Sequence, residues 1–207
     1  MLNSKFNLLC NRKPNVIGNE HSLKSAVLVP LVHYFNQTCV LFEVRARDLN
    51  RSPGEICFPG GKLESIDNNP IGAAIRETCE ELSLTEEDIQ VIAPLDFLVA
   101  PFNAIIYPFL CEIKDYKTVI PKPAEVEEVF FVPLDFLCSY QPQIHNLKFK
   151  LSLSEGFPYH LIPNGRDYNW REGNYPEYFY IYQNYVIWGM TARILHHFIN
   201  LTRGLVV

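Results

Sequence analysis

Three glutamates, Glu77, Glu80 and Glu81, are crowded directly behind Arg76. Carboxylates packed this closely repel, because like charges four residues apart weaken a helix. Two kinds of cation can offset the repulsion. One is Arg76, four residues before Glu80; the other is a divalent metal ion. Hard ions such as Mg2+ bind oxygen, keep several waters and are commonly shared with substrate phosphates. The preceding Phe58-Pro59-Gly60-Gly61 adds a loop whose backbone can approach a ligand closely, with a Gly-Gly carbonyl as a further oxygen. A phosphate-cradling loop ends in Lys-Ser/Thr at a helix start. Here acids take the place of that lysine, so phosphates would be held through metal. Taken alone, the acids could also be a solvated helix face.

These groups need elements to position them. Residues 70–82 read as a helix, with Asn69 as N-cap and Pro70 at the first helical position. With Glu77 at zero and about 100° per residue, Glu81 lies near 40° and Glu80 near 300°. Ile71, Ala74, Ile75, Thr78 and Leu82 lie between about 60° and 160°. The acids are therefore expected on the outer side, with the apolar face against a sheet.

Strands are expected at residues 25–33 and 38–44 around a turn at Asn36-Gln37, then at 89–100 and 105–113 around a Pro101-Phe102-Asn103 loop. Residues 45–61 read mostly as loop. Residues 127–132 form a further strand stopped by Pro133, with a helical turn at 133–137. Partial alternation at 148–153, a strand at 157–162, an aromatic loop at 164–176 and a hairpin at 178–187 turning at Gln183-Asn184 follow. A second helix spans 191–201. This order predicts an α+β fold with a mixed β-sheet between helices, as a single domain over residues 1–207.

The chain has 207 residues, 48% hydrophobic and 20% charged, which is enough to bury a core and excludes a disordered tail or a disulfide-stapled miniprotein. A net charge of -5 lacks the basic footprint of a bulk nucleic-acid binder, so no nucleic-acid partner is expected. No apolar run reaches the roughly 18 residues of a membrane span. Residues 1–12 do not read as a signal peptide and 204–207 carry no address signal. Cys10, Cys39, Cys57, Cys79, Cys111 and Cys138 form no C-x-x-C pair and read as free thiols in a reducing compartment, so a cytoplasmic location is expected. The histidines show no ligand spacing; His196 and His197 read as structural.

The stretch 61–84 resembles the Nudix box, G-x5-E-x7-R-E-U-x-E-E-x-G-U with U a bulky aliphatic. Gly61, Arg76, Glu77, Glu80, Glu81 and Leu84 match. Asp67 stands where the first Glu is expected, with one extra residue before Arg76; Thr78 replaces an aliphatic residue and Ser83 the last glycine. Residues 41–61 resemble the upstream signature of the coenzyme A pyrophosphatase branch, L-L-T-x-R-[S/A]-x3-R-x3-G-x3-F-P-G-G. Leu41, Arg45, Ala46, Gly54, Phe58, Pro59, Gly60 and Gly61 match. Phe42 and Glu43 depart from it, and Asn50 stands where the second arginine is expected, with Arg51 one place along.

The resemblance implies a Nudix-type α/β/α sandwich that hydrolyses the pyrophosphate bond of a small nucleotide. That substrate would be coenzyme A or an acyl or oxidised derivative, giving 3′,5′-ADP and (acyl-)4′-phosphopantetheine. It implies Mg2+ or Mn2+ on Glu77 and Glu81 with Glu80 as a further ligand, oriented by Arg76. The general base would lie in the box or on a later loop, where Glu125, Glu127 and Glu128 are candidates; Asp67 could be a base or a helix-start residue, the structural role being favoured. Arg45, Arg47, Arg51 and Lys62 beside Gly60 and Gly61 are candidate phosphate contacts, because a guanidinium fork matches phosphate oxygens. The aromatic residues of 168–185 could stack an adenine ring or simply cover the core. Two alternatives stay open: hydrolysis of another nucleoside diphosphate derivative such as ADP-ribose or NADH, and nucleotide binding without catalysis. A monomer or homodimer is expected.

Overall fold

The computed structural model describes residues 15–101 and 103–203. Cys10, Phe102 and the terminal segments 1–12 and 204–207 lie outside them. The centre of the fold is a mixed sheet. Strands β1 (Leu23–Tyr34) and β2 (Gln37–Arg45) are nearly continuous apolar runs, as strands covered on both faces must be. Their turn sits one residue earlier than the sequence suggests. Tyr34 pairs with Gln37, and Phe35 and Asn36 both take positive φ, the backbone of a tight two-residue hairpin.

The segment expected as loop contains two short strands, β3 (Ile56–Cys57) on β2 and β4 (Gly60–Lys62) on β1. Helix α1 (Pro70–Leu82) follows. The expected long strand 89–100 is broken into β5 (Ile89–Pro94) and β6 (Leu98–Ala100). A bulge between Val91 and Ala93 bends the ladder, and Pro94 has no N–H to continue it. Strand β7 (Ala104–Ile113) receives both and runs parallel to β1, while β8 (Val126–Pro133) pairs antiparallel with the other edge of β2.

The short helix α2 (Leu134–Ser139) leads into an outlying antiparallel sheet of β9 (Gln143–Phe149), β10 (Gly173–Tyr182) and β11 (Tyr185–Ile187), and helix α3 (Gly189–Arg203) follows. The alternation read at 148–153 belongs to a strand that ends at Phe149. The strand expected at 157–162 is a 3-10 turn, Tyr159–Leu161, held behind Pro158. The hairpin turn at Gln183-Asn184 is where the sequence places it.

Strand alternation divides the core. Leu41 packs with Ala26, Leu28, Ala74 and Leu82 under α1, whereas Val40, Phe42 and Val44 pack with Phe130, Leu195 and Phe198 under α3. The result is an α/β/α sandwich. Part of the aromatic stretch covers the core: Tyr180 is buried and Tyr185 stacks on Phe130 with centroids 3.7 Å apart. The described cysteines are all free. No described helix is long and apolar enough to cross a membrane.

Helix α1 is fixed at both ends. Asn69 Oδ1 accepts the Gly72 N–H at 2.9 Å. At the other end Ser83 takes the left-handed conformation, φ 53°, and the Leu84 N–H returns to the Cys79 carbonyl at 3.1 Å. The carbonyls of Glu81 and Leu82, which a helix end leaves free, accept the N–H groups of Lys122 and Ile120. Thr78 Oγ1 is buried without a partner. Both motif departures in this helix therefore carry a local cost. Thr78→Val and Ser83→Gly should each raise stability by about 1 kcal/mol. Urea unfolding at unchanged m would show it as a higher midpoint.

Candidate active site

The apolar face of α1 packs on the sheet as expected, but the acidic side is only partly solvated, which corrects the expectation for Glu81. Ala73, on that side, is fully buried, and Glu81 is only 4% exposed. Glu77 is partly covered, and Glu80 alone is exposed. The covering element is β4. Gly60 and Gly61 have no side chains, so their backbone slides between β1 and α1. A Cβ on Gly60 would lie 2.3 Å from the Ala26 carbonyl oxygen, and one on Gly61 would lie 2.5 Å from the Glu77 carboxyl carbon. Gly60 also needs φ +135°, a conformation L side chains rarely adopt. From this position the Gly60 N–H donates to Glu81 Oε2 at 2.9 Å.

Arg76 organises the outer acids. Its NH1 lies 2.9 Å from Glu77 and 3.5 Å from Glu80. Its Nε and NH2 donate to the two oxygens of Asp67 at 3.1 and 3.2 Å, a two-point clamp. Asp67 also accepts the Glu64 N–H, so it is an anchor for Arg76, while Asn69 starts the helix. The Arg76 contacts hold Asp67 below the usual carboxylate range.

Sequence reasoning missed one acid. Glu43 on β2 is 1% exposed and faces the α1 side, opposite Cys57 of β3. Cys57 Sγ donates to its Oε1 at 3.2 Å. The available signal was an acid inside an otherwise apolar strand. Burial, and then the charge of Glu43, push Glu81 well above the usual carboxylate range. Burial chiefly raises Glu43 too. Glu77 is raised by burial, with Arg76 pulling it back.

The later acids separate. Glu125 lies near this group, on a loop tied to α1 through Lys122 and to the end of β2 through the N–H of Ala46, the next residue, and its side chain pairs with Lys122 Nζ at 3.1 Å. Glu127 pairs with exposed Arg47. Glu128 faces the opposite side of the sheet. There it lines a cavity of about 510 Å3 with Arg47, Ile56, Tyr185 and Trp188. It is therefore not brought together with Glu77 and Glu81. Arg45 is partly buried, its Nε without a partner; Arg51 and Lys62 are exposed.

Buried carboxylates side by side are costly unless a cation joins them. All the candidate donors are carboxylate oxygens, the type that suits Mg2+ or Mn2+. They are not gathered: among the described residues no three His, Cys, Asp or Glu form a ready cation cage. Arg76 draws Glu77 and Glu80 to itself, and Gly60 holds Glu81. The donor types fit a divalent ion, and binding one requires the carboxylates to turn.

Residues 23–151 match the NUDIX domain family. The chain is 34% identical over 175 residues to a peroxisomal coenzyme A diphosphatase of Mus musculus, covering 84% of this chain and 67% of that protein. It is 31% identical over 185 residues to an uncharacterized Nudix hydrolase of Photorhabdus laumondii, covering 86% of this chain and 84% of that one. It is 35% identical over 122 residues to a mitochondrial coenzyme A diphosphatase of Homo sapiens, covering 58% and 52%.

The two glycines should respond differently to alanine. Gly60→Ala drives a Cβ into β1 backbone and should cost more than about 2 kcal/mol of stability. Gly61→Ala meets only the movable end of Glu77. It should leave thermal unfolding nearly unchanged while weakening Mn2+ binding by about tenfold in calorimetry.

Proposed function

The chain belongs to the Nudix family, and from that premise we propose that it hydrolyses the pyrophosphate bond of coenzyme A or its acyl or oxidised derivatives. The observation that carries the reading is the contact of the Gly60–Gly61 backbone with Glu81 and Glu77. It joins a glycine loop to an acidic helix at one point. The upstream signature at residues 41–61 and the names of two relatives support coenzyme A as the substrate.

Glu77 and Glu81 would hold Mg2+ or Mn2+, with Glu80 as a further donor. The ion supplies charge neutralisation for the pyrophosphate oxygens. Phosphoryl transfer asks little covalent chemistry of the protein, so positioning and electrostatics dominate. In the hydrolysis, a water oxygen bonds one phosphorus and the bond from that phosphorus to the bridging oxygen breaks. The bridging oxygen leaves with the other phosphate. The proton released by water passes to a carboxylate, and Glu125 is the candidate base among the later acids, because it lies on the α1 side.

Arg76 is a positioning residue, held by Asp67 so that it orients Glu77. Arg45, Arg51 and Lys62 surround the glycine loop in sequence and would meet the negative substrate. Arg45 carries a buried Nε free to donate. The Gly60 and Gly61 backbone allows phosphate to approach closely.

The test is product analysis by mass spectrometry. Protein with Mg2+ would be given coenzyme A, ADP-ribose and NADH in parallel, with Glu81→Gln as control. The expected products are 3′,5′-ADP and 4′-phosphopantetheine from coenzyme A alone, with turnover lowered by roughly 100-fold or more in the variant. Cleavage of ADP-ribose or NADH in its place would overturn the substrate, and no cleavage at all would overturn the enzymatic reading.

A further inference from the structure

Strand β2 carries one acid in an apolar run, residues 38–44, TCVLFEV. Glu43 stands where the resembled upstream signature has threonine, so this chain adds a charge at that position. The side chain is 1% exposed. Its Oε1 accepts the weak Cys57 thiol donor at 3.2 Å, and its Oε2 is buried with no hydrogen-bond partner.

A purely structural carboxylate in this position should be fully paired, because a buried unpaired charge destabilises strongly. The nearest candidate partner is Arg45, two residues along the same strand face. Yet its Nε is also buried without a partner, and among the described residues no salt bridge joins the two. Arg45 offsets part of the Glu43 charge, yet no hydrogen bond gives Oε2 a role within the fold. Its surroundings supply one. Cys57 opposite Glu43 lies three residues before Gly60, whose N–H holds Glu81. Glu43 and Glu81 thus sit beneath the same glycine loop, one from the sheet and one from α1, and the charge of Glu43 acts on Glu81.

We propose that Glu43 is a further carboxylate of the divalent-cation site, its free Oε2 directed to the ion that Glu77 and Glu81 hold. This rests on the reading of Glu77 and Glu81 as cation ligands. The ion would then be gripped from both layers, by helix acids and by a strand acid. The added charge gives this chain tighter cation binding than threonine at position 43 would allow.

The test is Mn2+ titration of the metal-free full chain, without substrate, followed by calorimetry and by the electron paramagnetic resonance of free Mn2+. Wild type would be compared with Glu43→Gln and with Glu43→Thr, the residue of the resembled signature. Near-ultraviolet circular dichroism would check folding, the second variant serving where the first fails. The expected result is Mn2+ binding by wild type, weakened at least about tenfold in either folded variant. Restoration of most of the affinity by Glu43→Asp would support a charge-based role. Equal affinity in wild type and variants would overturn the inference and leave the Glu77–Glu81 site standing. Absence of binding by wild type would overturn that site, and this inference with it.

Discussion

The structure depends on the close approach of the Gly60–Gly61 backbone to its two neighbours. Any side chain at Gly60 would strike the β1 main chain, and any at Gly61 would strike Glu77. Hydrogen at Gly60 lets β4 pair with β1, and hydrogen at Gly61 leaves room for the Glu77 carboxylate against the same strand. That proximity buries Glu81 and gives it a backbone donor. It also covers the inner part of the acidic side and leaves Glu80 exposed. The two layers meet where the chemistry is expected, so a change in packing at this point is also a change in function.

Burying acids has a cost that the rest of the fold manages in two ways. The outer acids are matched by Arg76, which is itself fixed by Asp67 from the loop before the helix. The inner acids, Glu81 and Glu43, have only weak or single partners. A carboxylate left in this state binds protons readily, and a divalent cation competes for the same oxygens. The protein therefore holds part of its acidic set paired and part under-compensated. On the proposed reading the first part sets geometry and the second would supply affinity for an ion. The loop 120–125, bonded to the C-terminal carbonyls of α1, brings Glu125 to the same side. The opposite face of the sheet, with α3 and the aromatic hairpin, is the support for this arrangement.

Much of this was legible in the sequence. The helix at 70–82, its Asn69 cap and the paired strands at its back follow from turn chemistry and apolar runs that act locally. So does the hairpin at Gln183-Asn184. What was not legible required contact between distant segments. Angular position alone puts the apolar centre of α1 nearer Thr78, whereas Ala73 and Glu81 are also buried, so the covered sector extends toward the acids. The break in strand 89–100 arises from a bulge that only the partner strand reveals. Residues 157–162 carry strand-like composition, but Pro158 sits where a ladder would need an N–H. Glu128 reads as equivalent to Glu125 along the chain. Within β8 it pairs opposite Val44 and so takes the face of Val44 rather than that of Glu43, while Glu125 lies in the loop before the strand.

The central claim is that the glycine strand and the acidic helix together make a site for a divalent ion. Anomalous scattering from crystals soaked in Mn2+ tests this most directly. The account predicts a peak at about 2.0–2.2 Å from carboxylate oxygens of both Glu77 and Glu81, beside Gly60 and Gly61. A well-ordered crystal with no peak there, or with Mn2+ bound only elsewhere and Arg76 still holding Glu77, would contradict it.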